Sequence, residues 1–263
     1  MEVSPGVRPE PLRHLDGILR DDEVHVWHVD LTAWKKEADS LLELLDPQER
    51  ERAARFKFPG PRNQFVISRA VLRQALGCYL PMEAREIRFR TTANGKPELA
   101  ADSALHFNDL HFNLSHSEGV TVFAIARHRQ VGIDVERIRP DTNALELAER
   151  FFSRREVQWL RSQPAGDQIP SFFTCWTGKE AYIKAHGAGL SISLNSFCVL
   201  PVPTTAGSEL QLKVYDDPQE TRRWSMWPLE LGSGLRAALA VEGESCRVRL
   251  SQWPLPDVEG IPR

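Results

Sequence analysis

The sequence predicts an α+β protein. Strand-like and helix-like segments are intermixed without the regular alternation of βαβ units. Both halves run strand, helices, strand, and a helix with basic residues at its inner turns occurs in each, as "ISRAVLRQALG" (67–77) and "TGKEAYIKAHG" (177–187), which suggests an internal duplication. With 263 residues the chain is long enough for one large domain or two small ones.

Each element has its own signal. "EVHVWHVDL" (23–31) alternates as a strand, with His25 and His28 on opposite faces and so a poor metal pair. A helix over 46–56 opens with Asp46 as N-cap, Pro47 at N1 and Glu49 closing a capping box. "PGP" (59–61) should break it before a second helix from about Asn63 to Tyr79, with Phe65, Val66, Ala70, Leu72 and Leu76 inward. Strands are expected at 86–92, 120–126 and 130–138, with "NGKP" (94–97) as a type I′-like or open turn. Helices resume at 142–152, restart at Ser153 with a Ser153/Glu156 capping box, and end in a long segment, 170–186. After Leu190 five strands follow: "SFCVL", "LQLKVYD", "RRWSMW", "RAALAV" and "RVRLSQW".

Bulk properties exclude several classes. A net charge of −3 gives no overall signal for nucleic acid, so any anion site must be local. Apolar runs are too short to span a bilayer, and the Pro-rich, charged residues 1–20 read as a loosely held arm without a signal-peptide core. Cys78, Cys175, Cys198 and Cys246 form no CxxC pair and read as free thiols of a cytoplasmic protein.

Four stretches could carry chemistry. In "VGIDVER" (131–137), Asp134 and Glu136 leave one face of a strand while Ile133 and Val135 face a core. Such a pair is either a solvated strand face or a hard-cation site, Mg²⁺ being a metal that takes one or two carboxylates and leaves positions for water and phosphate. In "WTGKEAYIKAHGAG" (176–189), Glu180 and Lys184 are four apart, the spacing of an ordinary surface ion pair. The helix is apolar over much of its circumference, however, so Glu180 could join the two strand carboxylates and Lys184 could meet a metal-bound phosphate. "FNLSHSEG" (112–119) reads as a tight turn between strands; Ser115 and His116 point apart on extended backbone, which suits phosphate binding better than a nucleophile–base pair. Among the basic positions Arg52, Arg55, Arg69, Arg73 and Lys96, most are expected to be solvated, and Lys96 stands out because its turn fixes its place.

In order, the Arg55–Phe56 helix end, "GKP" (95–97), "FNLSHS" (112–117), "VGIDVE" (131–136), "FFSRRE" (151–156) and "WTGKEAYIKAHGAGL" (176–190) resemble the Sfp-type 4′-phosphopantetheinyl transferases. The resemblance spans roughly residues 50 to 200. It implies a pseudo-symmetric, two-lobed α+β monomer, residues 1–129 forming the N-terminal lobe and 130–263 a C-terminal lobe with the metal site, and coenzyme A bound in the cleft between them. It also implies transfer of phosphopantetheine from coenzyme A to a serine of an apo acyl, peptidyl or aryl carrier protein, releasing adenosine 3′,5′-bisphosphate. By that resemblance Asp134, Glu136 and Glu180 would ligate Mg²⁺, with Mn²⁺ the alternative, and Lys184 would contact the pyrophosphate. Asn113, Ser115 and His116 would bind coenzyme A, His116 at its 3′-phosphate. Lys96 and Arg52 would add phosphate contacts, and Thr92, Gly95 and Pro97 would run near the adenine. The base for the serine would be Glu180 or a water on the metal. "PGP" departs from the family's charged helical residues and leaves contacts by Arg62, Gln64 and Arg69 open. A carrier surface is expected near 137–165, where Arg137, Arg139, Arg150, Arg154 and Arg155 would meet an acidic helix or form a solvated face. The competing functions are a non-catalytic coenzyme A or carrier binder and a metal-dependent phosphohydrolase.

Overall fold

The alternation of Val24, Val26 and Trp27, Val29 along the first strand, β1 (Glu23–Asp30), already divides two cores, because the two sets are buried in different apolar clusters. The computed structural model describes residues 19–100, 109–205, 207–244 and 246–253. The arm expected at residues 1–20 lies almost wholly outside them.

Helices α1 (Pro47–Ala54) and α2 (Pro59–Gly77) follow β1, then a short hairpin, β2 (Phe89–Thr91) and β3 (Pro97–Leu99), and strands β4 (Leu110–Ser117) and β5 (Val120–Arg127). The second half runs β6 (Val131–Arg137), α3 (Ala144–Phe151), α4 (Arg154–Arg161), α5 (Gln168–His186), β7 (Phe197–Thr204), β8 (Gly207–Val214), α6 (Pro218–Arg223), β9 (Trp224–Leu229), β10 (Leu235–Glu242) and β11 (Arg247–Gln252). One sheet has the order β11-β1-β5-β4, the other β6-β10-β9, and β7–β8 is a separate hairpin. All pairings are antiparallel except β1 with β11, which is parallel. The class is α+β, as expected.

The layers follow from strand periodicity. Trp27, Val29, Phe112, Phe123 and Ile125 pack with Val66, Ile67, Ala70 and Val71 of α2. Val24, Val26, Val122 and Ala124, on the other side of that sheet, meet Val131, Ile133, Val135, Leu239 and Val241 of the second sheet. Ala238 and Ala240, turned the opposite way, pack with Ala181 and Ala185 of α5. The order is therefore helix, sheet, sheet, helix. Small residues let α5 lie close: a Cβ on Gly132 would fall 2.1 Å from Ala181 O and 2.3 Å from Ala185 N.

Each half uses the same fastening. Asp46 and Glu49 form the capping box of α1, and Glu49 also accepts from the fully buried Arg73 of α2 at 2.8 Å. Ser153 and Glu156 form the box of α4, and Glu156 also pairs with the fully buried Lys179 of α5 at 2.8 Å. Charge compensation, with hydrogen bonds to carbonyls and carboxylates, is what permits such groups inside.

Three local expectations are corrected. "PGP" does not precede α2 but forms its first turn, Pro59 taking a position where a missing N–H is harmless. Residues 112–117 are strand rather than turn; the turn is confined to Glu118–Gly119, with Gly119 at φ 77°. Only Gly95 of "NGKP" has positive φ, 83°, so the turn is not type I′, which needs two such residues. The last strand, β11, leaves the second half of the chain and completes the first sheet beside β1.

Candidate active site

Strand periodicity places Asn113, Ser115 and Ser117 on the face of β4 turned toward β6. The Asn113 side-chain oxygen accepts from Ile133 N at 2.9 Å. Ser115 Oγ donates to Asp134 Oδ1 at 2.8 Å, and Ser117 Oγ to Glu136 Oε2 at 3.1 Å while accepting from Arg137 N at 3.0 Å. Polar side chains thus join two strands that share no backbone ladder.

Helix α5 closes the site. Lys184 Nζ lies 2.7 Å from Asp134 Oδ1 and donates to Ser115 Oγ at 3.0 Å. Lys184 therefore grips Asp134 and Ser115, not Glu180 four residues before it. Asp134 Oδ2 is buried and has no hydrogen-bond partner. Burial, then the negative charge of Asp134, hold the carboxyls of Glu136 and Glu180 above the usual range. His116 points to the opposite side of β4 from Ser115 and is exposed at the strand's end. Its imidazole is pushed down, first by desolvation and then by the cations of Lys184 and Arg52, with its own backbone and Asp134 opposing. Arg52 is exposed on α1 with its guanidinium 4.9 Å from the centre of the Phe65 ring.

The 92–97 turn is placed against the same helix. Thr92 Oγ1 accepts from Lys96 N at 3.1 Å, Pro97 pairs with Thr91, and Asn94 Nδ2 donates to Gly187 O at 2.8 Å. Lys96 Nζ is engaged by backbone carbonyls. Arg62 pairs with Asp39 at 2.8 Å and Arg69 lies 3.6 Å from Glu49.

The three carboxylates act on one another electrostatically, yet among the described residues no group of three or more His, Cys, Asp or Glu side chains is drawn together closely enough to hold a metal ion. Mutual repulsion and the ammonium on Asp134 account for the spread. An all-oxygen donor set and the unsatisfied Asp134 Oδ2 nevertheless fit a hard divalent cation.

Sequence reasoning missed Ser117, Asn94 and Lys179 as contributors to this architecture, and read Glu156 as a capping residue without its pairing to Lys179. Ser117 had a signal, sharing the face of Ser115 two residues away. Lys179 had none, since a lysine on a helix gives no sign that it is fully buried.

Comparison with known proteins gives the family. Residues 130–240 match the family model of the 4′-phosphopantetheinyl transferase superfamily, and residues 30–128 match that of the 4′-phosphopantetheinyl transferase N-terminal region. The chain is 37% identical to the 4′-phosphopantetheinyl transferase HetI of Nostoc sp. over 86% of its own length and 90% of that protein's. It is 31% identical to the 4′-phosphopantetheinyl transferase Sfp of Bacillus subtilis, over 65% of this chain and 73% of the relative. For the 4′-phosphopantetheinyl transferase psf-1 of Bacillus pumilus the identity is 34%, over 74% and 79%. With "GID" and "WTGKEAYIK" meeting at the Asp134–Lys184 contact, and "FSRRE" tied to the same helix through the Glu156–Lys179 pair, the chain belongs to the 4′-phosphopantetheinyl transferase superfamily, as a transferase of the Sfp type.

Proposed function

We propose that the Asp134, Glu136, Glu180 and Lys184 cluster is the centre at which this enzyme transfers the 4′-phosphopantetheine group of coenzyme A to a serine of an apo carrier protein, leaving adenosine 3′,5′-bisphosphate. The observation that carries the assignment is the convergence of Ser115, Asp134 and Lys184, from three distant segments, within 3.0 Å of one another.

Lys184 supplies the positive charge that the leaving bisphosphate needs as the pyrophosphate bond breaks. Ser115, on the Asp134 face of β4, and His116 with Arg52, on its other side, would contact coenzyme A phosphates, His116 and Arg52 the 3′-phosphate, and the backbone of Thr92, Gly95 and Pro97 would line the adenosine end. Asn113 contributes by fixing β4 to β6 through Ile133 N. Glu180 is the group of this chain that would accept the serine proton, its carboxyl being already pushed up by burial and Asp134. Asp134, Glu136 and Glu180 would hold Mg²⁺ or Mn²⁺, which when bound supplies charge neutralisation at the pyrophosphate. We place the cleft at the change from the first half to the second near residues 129 and 130. The enzyme acts as a cytoplasmic monomer in this reading; four thiols without a disulfide agree with a reducing compartment.

The test is the intact mass of an apo carrier protein after incubation with this enzyme, coenzyme A and Mg²⁺. A fatty-acid carrier and a peptidyl carrier are run in parallel, each with and without EDTA. A gain of one phosphopantetheine, lost with EDTA, is the expected result. Calorimetric coenzyme A binding without mass gain on either carrier would reject the assignment for those substrates. Release of bisphosphate with no carrier present would instead favour hydrolysis.

A further inference from the structure

The 92–96 turn is rigid by its own bonds. Gly95 N donates to Thr92 O and Thr92 N to Lys96 O, both at 2.9 Å, while Lys96 N donates to Thr92 Oγ1 at 3.1 Å. From this frame the half-buried Lys96 side chain reaches into the second half of the molecule. Its ammonium donates to Lys184 O at 3.1 Å and to Val131 O at 3.4 Å. Beside it, Asn94 holds Gly187 O, and a Cβ on Gly189 would come within 3.2 Å of Asn94 Cβ.

These acceptors are informative. The last carbonyls of a helix have no partner inside it and carry the negative end of its dipole. Gly187 N already serves Ile183 O; Lys184 O and Gly187 O are served from the other half of the chain. Val131 opens β6, three residues before Asp134, and Lys184 lies in the last turn of α5. One ammonium thereby joins the backbones of the two elements whose side chains meet as the Asp134–Lys184 pair.

We infer that Lys96 is a positioning residue, a latch from the 92–96 turn that fixes the end of α5 against the start of β6 and so sets Lys184 in place, rather than a ligand of the coenzyme A phosphates. Desolvation lowers the pKa of this ammonium, with Glu98 opposing, and the two carbonyls are the hydrogen-bond partners it holds in place of water, so moving it onto a phosphate means breaking the latch.

The inference rests on the transferase reading, and Lys96→Met in the full-length enzyme tests it. The expected result is a fall in kcat of about tenfold to a hundredfold, with the calorimetric Kd for coenzyme A kept within about twofold, as misplacement of a catalytic group produces. Lys96→Arg, which keeps the charge and donors, should recover most of the loss. Hydrogen exchange at the amides of 185–189 and 131–134 should accelerate in Lys96→Met and not in Lys96→Arg. Asn94→Ala, which removes the companion bond and leaves Lys96, should lower kcat in the same direction by less. It decides the matter if Lys96→Met does not fold. A phosphate ligand would behave otherwise: weaker coenzyme A binding with kcat at saturation intact would overturn the inference. Unchanged kcat and exchange would overturn it equally. Absence of mass gain with the wild type would be a failure of the transferase reading alone, since the exchange measurement needs no turnover.

Discussion

Asp134 offers one oxygen to both Ser115 and Lys184 and leaves the other buried without a partner, an arrangement that serves a ligand better than it serves stability. Asp134→Ala and Glu180→Ala should each lower the transfer rate by about a thousandfold or more while the melting temperature stays near that of the wild type. His116→Ala should weaken coenzyme A binding by about tenfold, the scale of one charge-assisted hydrogen bond, read by calorimetry. A different residue sets a pH limit on the fold. His25 is buried against Tyr79 OH at 2.8 Å, and desolvation foremost, then Arg249, lowers its pKa to about 4, with Glu23 opposing. Its folded pKa lies below the unfolded one, so the neutral ring's full contribution is present above pH ~6.5 and is lost as pH falls toward 4, a total of about 3 kcal/mol. His25→Gln should flatten the fall in melting temperature across that window; an equally steep fall would assign the acid lability to other groups. At this scale the sequence was legible wherever periodicity alone decides orientation, as for Asp134 and Glu136 on β6. It was silent on which oxygen of Asp134 is left over and on a ring held neutral, because both depend on neighbours brought from other segments.

Among the elements, α5 contributes Glu180 and Lys184 to the site and is pinned twice, by Lys96 near its end and by Lys179 along its length. Lys179 Nζ donates to Leu194 O at 2.7 Å and Phe197 O at 2.8 Å besides its bond to Glu156, whose other oxygen accepts from Val199 N. Lys179→Met or Glu156→Gln alone leaves its partner buried without compensation and should cost about 3–5 kcal/mol in urea unfolding, whereas the double variant should cost less than the two combined. Strict additivity would mean that the two groups do not depend on each other. The capping boxes of α1 and α4, and the long helix α5, were plain in the sequence because their signals are local. Strand β4 was not. Asn, Ser, His and Ser are turn formers by composition, and only the polar face of β6 opposite them makes a strand the better state for them. The same limit applied at Pro59, whose two roles, ending one helix or starting the next, differ only by where the chain turns.

For the whole molecule, α+β class and the repeat of strand, helices and strand were readable, and the repeated Glu–cation fastening gives the repeat a physical form. What no local pattern announced is that the two sheets pack face to face or that the final strand returns to the first of them. Trp253, just beyond β11, is 2% exposed, stacks edge-on with Trp27 at 5.3 Å and Phe123 at 6.0 Å, and donates its backbone N–H to His28 O. Trp253→Ala should destabilise the protein by about 3–5 kcal/mol in denaturant unfolding. A loss well under that would mean that the first core closes without it.

The return of β11 has a consequence for the order of events during synthesis. Glu23 and Arg249, bonded in the finished sheet, are 226 residues apart in the chain. When the ribosome has made all of β1, α2, β4 and β5, one edge of β1 is still open, and it stays open while the entire second half is translated. The first half to emerge is thus the last to be finished, and until β11 arrives that edge of β1 offers its backbone groups to any other strand.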